Sequence, residues 1–162
     1  MSAADLKVRV QTEPFDPGAE LNAFLKDTRE AGGIAVFVGQ MRDFKGPDRA
    51  TGEAVSAMTL EHYPGMTEKA IGEIVAQARA RWQVIDALVI HRVGTLRPAD
   101  PIVLVAVASA HRGDAFAACE FIMDYLKTRA PFWKKEQSDA GPRWVEARES
   151  DDLAAERWRL KG

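Results

Sequence analysis

The sequence predicts an α+β protein with a single domain, in which helices pack on a mixed or antiparallel sheet. Its 162 residues, 46% of them apolar, are enough to bury one core. Segments with the alternating or continuous apolar pattern of strands cluster in the middle of the chain, and the stretches with helical periodicity are long but few. That distribution favours the α+β class.

The first part of the chain predicts a strand, a helix and a second strand. Residues 6–10 alternate apolar and basic side chains, which is typical of a half-exposed strand. Asp16 suits the start of a helix, which should stop at Gly32. Residues 34–41 are apolar almost throughout, so we expect a buried strand there.

The middle of the chain predicts a loop, three strands and a helix. Residues 43–53 contain two glycines, a proline and five charged side chains, so we expect a mobile loop. Residues 54–62 are strand-like, and a helix with one apolar face follows Gly65. Residues 84–93 and 102–110 then predict two more strands.

The last part predicts a second long helix over residues 114–129, followed by two short extended pieces at 132–136 and 143–147. We therefore expect one domain over residues 1–149. The remaining residues, 150–162, are expected to form a charged C-terminal tail.

Composition excludes several classes of function. With 22 basic and 24 acidic side chains, the formal net charge is -2, so a general attraction to nucleic acid is not expected. The first residues lack the pattern of a signal peptide and no apolar run could span a membrane, so we expect a cytoplasmic protein. Cys119 is the single cysteine, which excludes an internal disulfide, and the three histidines show no zinc-ligand spacing.

The densest group of cations surrounds the predicted end of the second long helix. Lys127 precedes Pro131 and Lys134 follows it, so both ammonium groups could face one anion. A lysine near a helix C-terminus is also ordinary, because it interacts favourably with the helix dipole. The cations alone leave both interpretations open.

Two His-Arg pairs lie where predicted strands end, at His91-Arg92 and at His111-Arg112, and Arg42 has the same position after residues 34–41. Strand ends commonly carry ligand-binding groups. An arginine there can bind a phosphate with two hydrogen bonds. A structural ion pair is the alternative for each of them.

Six ordered blocks of sequence together resemble the catalytic, large subunit of the molybdopterin synthase family. The blocks are GIAVFVGQMR at 33–42, LEHYPGM at 60–66, HRVG at 91–94, SAHR at 109–112, MDYLK through KKE at 123–136, and RWVE at 143–146. The likeness covers residues 33–149. Each block is weak alone, and the combination in this order is specific.

The resemblance implies a fold that contains an α/β hammerhead, and a homodimer within a heterotetramer. The partner would be a small ubiquitin-like sulfur carrier whose C-terminal glycine bears a thiocarboxylate. The substrate would be cyclic pyranopterin monophosphate and the product the dithiolene-bearing molybdopterin. Because the sulfur arrives on the carrier, neither a cofactor nor a metal is expected in this chain.

The resemblance also assigns residues to the site. Lys127 and Lys134 match the catalytic lysines of the family. The substrate-binding positions are Gln40, Met41, Arg42, His111, Arg112, Lys135 and Glu136. The residue types suit the chemistry, because a thiocarboxylate and a phosphorylated pterin are both anions and need fixed positive charge to meet.

Two rival interpretations remain at this stage. Cys119 could carry a persulfide, as in sulfurtransferases that use their own thiol, although its apolar neighbours favour a place in the core. Alternatively, the chain could be a docking module for a ubiquitin-like protein, with its cations serving recognition only.

Overall fold

The computed structural model of the chain describes residues 7–138, 141–145 and 149–160. These ranges contain nine strands and four helices. In chain order the elements are β1 (Val8–Gln11), α1 (Pro17–Asp27), β2 (Gly33–Gln40), β3 (Phe44–Lys45), β4 (Glu53–His62), α2 (Met66–Arg81), β5 (Asp86–Arg92), β6 (Gly94–Leu96), β7 (Pro101–Ser109), α3 (Arg112–Leu126), β8 (Phe132–Ser138), β9 (Gly141–Val145) and α4 (Glu149–Leu160).

The first sheet contains four strands in the order β1-β5-β7-β2. β1 is parallel to β5, whereas β5 with β7 and β7 with β2 are antiparallel pairs. The sheet is therefore mixed, and the predicted α+β class is confirmed.

Different helices cover the two faces of this sheet. Successive side chains of a strand point to opposite faces, and Val89 and Ile90 of β5 are both fully buried. Val89 shares a core with Ile71 of α2 and Ile122 of α3, while Ile90 shares a core with Phe24 of α1. A strand covered on both faces must be apolar without a break, which explains the continuous apolar run in β5.

The second sheet is built around β4, which has neighbours along both edges. Leu60 of β4 lies opposite Lys134 of β8 on one side and opposite Gly94 of β6 on the other. β3 extends the sheet at the beginning of β4, and β9 extends it beyond β8. A smaller core lies against this sheet, formed by Met41, Val55, Met58, Leu60, Val93 and Leu96.

The segment expected to be a mobile loop, residues 43–53, is instead an ordered hairpin. Phe44 of β3 pairs with Ala54 of β4. The carboxylate of Asp48 accepts hydrogen bonds from the backbone N–H and the hydroxyl of Thr51, at 2.9 and 3.0 Å. Local side-chain hydrogen bonds of this kind stabilise turns. Composition predicted the turn but not the pairing of its two arms.

The expectation of a charged tail over residues 150–162 is wrong for the part that the structure describes, because α4 is a helix that packs on the domain. Trp158 is only 6% exposed. Its indole ring makes edge contacts with Trp82 and Phe121, and its Nε1–H donates to Asp124 at 2.6 Å. Because α4 is rich in charged residues, its sequence did not indicate a helix with one buried face.

Smaller differences concern the ends of elements. α3 begins at Arg112, two residues earlier than expected, and ends at Leu126. The short strand β6 was not expected, and Leu6 and Ala147 lie outside the described residues. In the described ranges no helix has both the length and the apolar composition needed to cross a bilayer.

Candidate active site

A cleft of about 650 Å³ lies between the two sheets, beside the end of α3. Four cationic side chains line it: Arg42, Lys45, Lys127 and Lys134. No carboxylate is present among the described side chains that line the cleft. Apolar residues form much of the remaining wall, which strengthens the field of the cations by limiting the approach of water. The cleft therefore suits a small anionic ligand.

The two lysines on either side of Pro131 reach this cleft from different elements. Lys127 is the residue that caps α3, and its backbone N–H donates to the carbonyl of Met123 at 3.3 Å. Lys134 lies on β8, opposite Leu60 of β4. Both side chains line the cleft, as their spacing indicated. Their catalytic role stays a prediction.

A buried hydroxyl holds the turn between these lysines. Thr67, at the start of α2, is fully buried. Its hydroxyl donates to the carbonyl of Pro131 at 3.0 Å and accepts from the backbone N–H of Tyr63 at 3.1 Å. The beginning of α2 therefore fixes the path of the chain from α3 into β8, and with it the relative position of Lys127 and Lys134.

The end of β2 supplies a second group of predicted residues. Gln40, Met41 and Arg42 all line the cleft. Met41 is buried, and its backbone N–H donates to the carbonyl of Asp100 at 2.9 Å. The guanidinium of Arg42 lies 4.1 Å from the centre of the Phe44 ring and donates to the carbonyl of Gly46 at 3.0 Å. The hairpin therefore holds Arg42 in place through a cation–π contact and a hydrogen bond.

The structure does not bring His111 and Arg112 to this cleft within one chain. His111 is the N-cap of α3 and Arg112 its first residue, and both are exposed. Lys127 lies at the other end of this helix of 15 residues, so about 22 Å of helix separates the two groups. The family resemblance assigned both groups to one site, and a role of His111 and Arg112 in binding the substrate stays a prediction.

The last two predicted positions follow Lys134 on β8. Lys135 is exposed and does not line the cleft, because successive side chains of a strand point to opposite faces. The backbone of Glu136 pairs with Met58 of β4. Its side chain lies outside the described part of the structure, so its predicted role stays open.

Two basic residues that line the cleft were not predicted as site residues. Lys45 enters it from β3, within the segment expected to be a loop. His91 enters it from the end of β5. The position of His91 at a strand end was a signal in the sequence, although a structural ion pair was the alternative considered. Its neighbour Arg92 does form one, being buried with a guanidinium nitrogen 3.6 Å from the carboxylate of Asp100.

The imidazole of His91 is held in an apolar and cationic environment. Its ring stacks on Phe132 with 4.0 Å between ring centres and 20° between planes. Burial, together with the charges of Lys127 and His62, lowers the pKa of His91 to about 4, although a hydrogen bond to the carbonyl of Arg92 opposes the shift. The ring is therefore neutral at neutral pH.

Cys119 has the properties of a core residue. It is 6% exposed, and its thiol points to the carbonyl of Val105 at 3.7 Å. Burial raises the pKa of the Cys119 thiol to about 12, so the thiolate is scarce at neutral pH. Among the described residues, no group of three or more histidine, cysteine or acidic side chains could hold a metal ion.

The fold and the cleft together define a class of protein, an α+β domain with a cleft between two sheets that cations from several elements line. The comparisons with known proteins identify the family within that class. The profile described as MoaE protein matches residues 10–129. The chain belongs to the MoaE protein family.

The chain is similar to its relatives over most of their length. A molybdopterin synthase catalytic subunit from Ralstonia nicotianae is 60% identical over 151 residues, which cover 93% of this chain and 83% of the relative. The subunit of the same name from Pseudomonas aeruginosa is 55% identical, and the match covers 94% of this chain and 99% of the relative. Among solved structures, the molybdopterin biosynthesis MoaE protein from Burkholderia ambifaria has a TM-score of 0.78 and 53% identity, covering 94% of this chain and 97% of that one.

Proposed function

We propose that the protein is the catalytic subunit of a molybdopterin synthase. It transfers sulfur from the C-terminal thiocarboxylate of a small ubiquitin-like carrier to cyclic pyranopterin monophosphate, and so forms the dithiolene of molybdopterin. The reaction belongs to molybdenum cofactor biosynthesis, and we place it in the cytoplasm. The observation that carries the proposal is the convergence of Arg42, Lys45, Lys127 and Lys134 on one cleft.

The charge of this cleft fits the reaction. The carrier's thiocarboxylate and the phosphorylated pterin are both anions, and each repels the other in water. Fixed cations in a partly apolar cleft offset that repulsion without reorganising during the reaction. Family membership and the relatives' name, molybdopterin synthase catalytic subunit, support the same reaction.

Lys127 and Lys134 have the positions that the chemistry needs. Sulfur transfer requires protons to move at the pterin carbons and an anion to be stabilised as the carbon–sulfur bonds form. Two ammonium groups at opposite ends of the Pro131 turn can supply both functions within one cleft. Arg42, which the hairpin fixes, is suited to bind the phosphate or the pterin in ground state and transition state alike.

His111 and Arg112 support the proposal only through a second copy of the chain. They lie at the far end of α3, and the edge strand β2 exposes three consecutive apolar side chains, Val36, Phe37 and Val38. An exposed apolar edge strand is suited to pair with another chain. In the expected homodimer, we propose that one subunit's His111 and Arg112 bind the substrate held by the other subunit's lysines.

The carrier is expected to insert its flexible C-terminal tail into the cleft, where the terminal thiocarboxylate meets Lys127 and Lys134. The relatives' name, catalytic subunit, implies at least one further subunit in those enzymes.

The two rival interpretations, a persulfide on Cys119 and a docking module without catalysis, are less well supported. The buried, protonated thiol of Cys119 is a poor sulfur carrier, and recognition alone does not require a cleft that encloses two lysines.

Reconstitution tests the function. The purified protein is incubated with the thiocarboxylated carrier and cyclic pyranopterin monophosphate, and the dithiolene product is measured by mass spectrometry. The same carrier with an ordinary C-terminal carboxylate is the control. Product that depends on the thiocarboxylate supports the proposal, and the absence of product from a folded protein that binds both partners contradicts it.

A further inference from the structure

His91 presents one ring nitrogen to the backbone and leaves the other available. Nδ1 lies 2.8 Å from the carbonyl oxygen of Arg92. Because a carbonyl oxygen can only accept, Nδ1 must carry the hydrogen, and in a neutral ring Nε2 then carries a lone pair. Nε2 makes no hydrogen bond to any residue within the described ranges, and the side chain lines the cleft.

The fold holds this ring in one orientation. His91 follows Val89 by two residues on β5, so both side chains lie on the face that α2 and α3 cover. Phe132 of β8 stacks on the imidazole. Tilting the ring would break this stacking, and flipping it about the Cβ–Cγ bond would break the hydrogen bond to Arg92.

Burial and the basic groups around His91 keep its ring neutral. Lys127 faces it from the end of α3, His62 from β4, and Lys134 lines the same cleft from β8. Glu68 of α2 lies further away, with its carboxylate 3.9 Å from Nε2 of His62. An added proton on His91 would therefore lie in a buried position near existing positive charge, which opposes protonation.

A neutral hydrogen-bond acceptor in the cleft can make contacts that the cations cannot make. The four cations of the cleft can only donate hydrogen bonds. They suit the phosphate of a ligand, but they cannot bind its N–H and O–H groups. A reduced pterin carries several such donors on its rings, so its recognition also requires acceptors.

We propose that His91 is a specificity-determining residue, whose Nε2 accepts a hydrogen bond from an N–H or O–H group of the bound pterin. This inference rests on the proposed function. It adds a contact to the pterin itself, whereas the cations of the cleft recognise negative charge.

Substitutions of His91 that keep either the hydrogen-bond acceptor or the aromatic ring, but not both, test the inference. His91→Gln keeps an acceptor near the position of Nε2, His91→Asn removes it while keeping a polar group near Nδ1, and His91→Phe keeps an aromatic ring against Phe132. We expect His91→Gln to bind cyclic pyranopterin monophosphate within about threefold of the unsubstituted protein. His91→Phe and His91→Asn should bind it about tenfold or more weakly, with most of the loss in KM. His62→Gln, which removes an imidazole that does not line the cleft, is the matched control.

Calorimetric titration with the precursor, without the carrier, gives the binding constants, and circular dichroism verifies folding. Unchanged binding and kinetics in folded His91→Phe would overturn the inference while leaving the proposed function intact. If the unsubstituted protein neither bound the precursor nor converted it, the proposed function itself would fail.

Nuclear magnetic resonance gives an independent measurement. Long-range proton–nitrogen correlation spectra of protein labelled with ¹⁵N-histidine distinguish the two neutral tautomers, and the chain has three histidines to assign. We expect the Nδ1–H tautomer for His91 at pH 7, and a shift of its Nε2 signal when the precursor is added. An Nε2–H tautomer, or an Nε2 signal that saturating precursor leaves unchanged, would overturn the inference.

Discussion

The buried hydroxyl of Thr67 donates a 3.0 Å hydrogen bond to the carbonyl of Pro131, which joins the start of α2 to the turn between two lysines of the cleft. Thr67→Val keeps the shape of this side chain and removes the hydroxyl. The carbonyl of Pro131 and the N–H of Tyr63 then lose a partner, which should lower the free energy of unfolding by about 1–3 kcal/mol. Product formation should also fall, because the turn positions both lysines.

Chemical denaturation and a product assay measure the two effects. Thr59→Val is the matched control, since the Thr59 hydroxyl contacts only the Thr95 hydroxyl at 3.3 Å on an exposed part of β4. Equal stability and activity in Thr67→Val and Thr59→Val would show that the hydrogen bond to Pro131 does not position the lysines.

Cys119→Ala should retain most of the sulfur-transfer activity. The thiol is buried and protonated, and the sulfur is expected to arrive on the carrier. The smaller side chain should cost about 1 kcal/mol of stability, because it leaves a small cavity against β7. Multiple-turnover assays measure the rate, and loss of turnover in the folded variant would revive the persulfide mechanism.

His91 should make the protein less stable in mild acid. Its pKa is lowered from 6.5 to about 4 in the folded state, so between these values the unfolded chain binds the proton more readily. Stability is therefore lost as the pH falls from 6.5 to 4, by an amount on the order of 3 kcal/mol. Denaturation of the unsubstituted protein and of His91→Gln across this range should show a smaller decline in the variant. Parallel curves would mean that His91 is not buried as a neutral ring.

The variants Arg112→Ala and Lys127→Ala should complement each other when one dimer contains one subunit of each. Arg112→Ala and Lys127→Ala are each expected to reduce activity, the first mainly through precursor binding. If the site combines residues of two chains, a dimer with one copy of each variant has one intact site. Random pairing makes half of the dimers mixed, so about a quarter of the full activity should return.

Co-expression of the two variants with different affinity tags provides the mixed dimers, and separately purified variants are the control. No recovery in verified mixed dimers would mean that Arg112 does not act on the site of the partner subunit.

The sequence predicted those parts of the structure that depend on local pattern. The alternation in β1, the unbroken apolar run of β5 and the punctuation around α3 each follow from short-range rules. The basic residues around Pro131 were also informative, because a turn between a helix and a strand brings Lys127 and Lys134 to the same side.

Features that depend on distant contacts could not be predicted in this way. The buried face of α4 depends on Trp82 and Phe121, which lie far from Trp158 in the sequence. The arm β4 of the hairpin continues into the second sheet, where it pairs with β8, a strand distant in the sequence. His111 has the same strand-end context as His91, yet only His91 lies in the cleft, because β5 and β7 are antiparallel and therefore end at opposite edges of the sheet.

The central claim is that Lys127 and Lys134 act in the chemical step. Single-turnover sulfur transfer with saturating precursor and thiocarboxylated carrier tests it most directly, comparing Lys127→Ala and Lys134→Ala with Lys69→Ala, which removes an exposed lysine of α2. We expect each cleft variant to remain folded and bind the precursor but form product about 10²-fold more slowly or worse, while Lys69→Ala is unaffected. Near-normal rates in folded Lys127→Ala and Lys134→Ala would contradict the account.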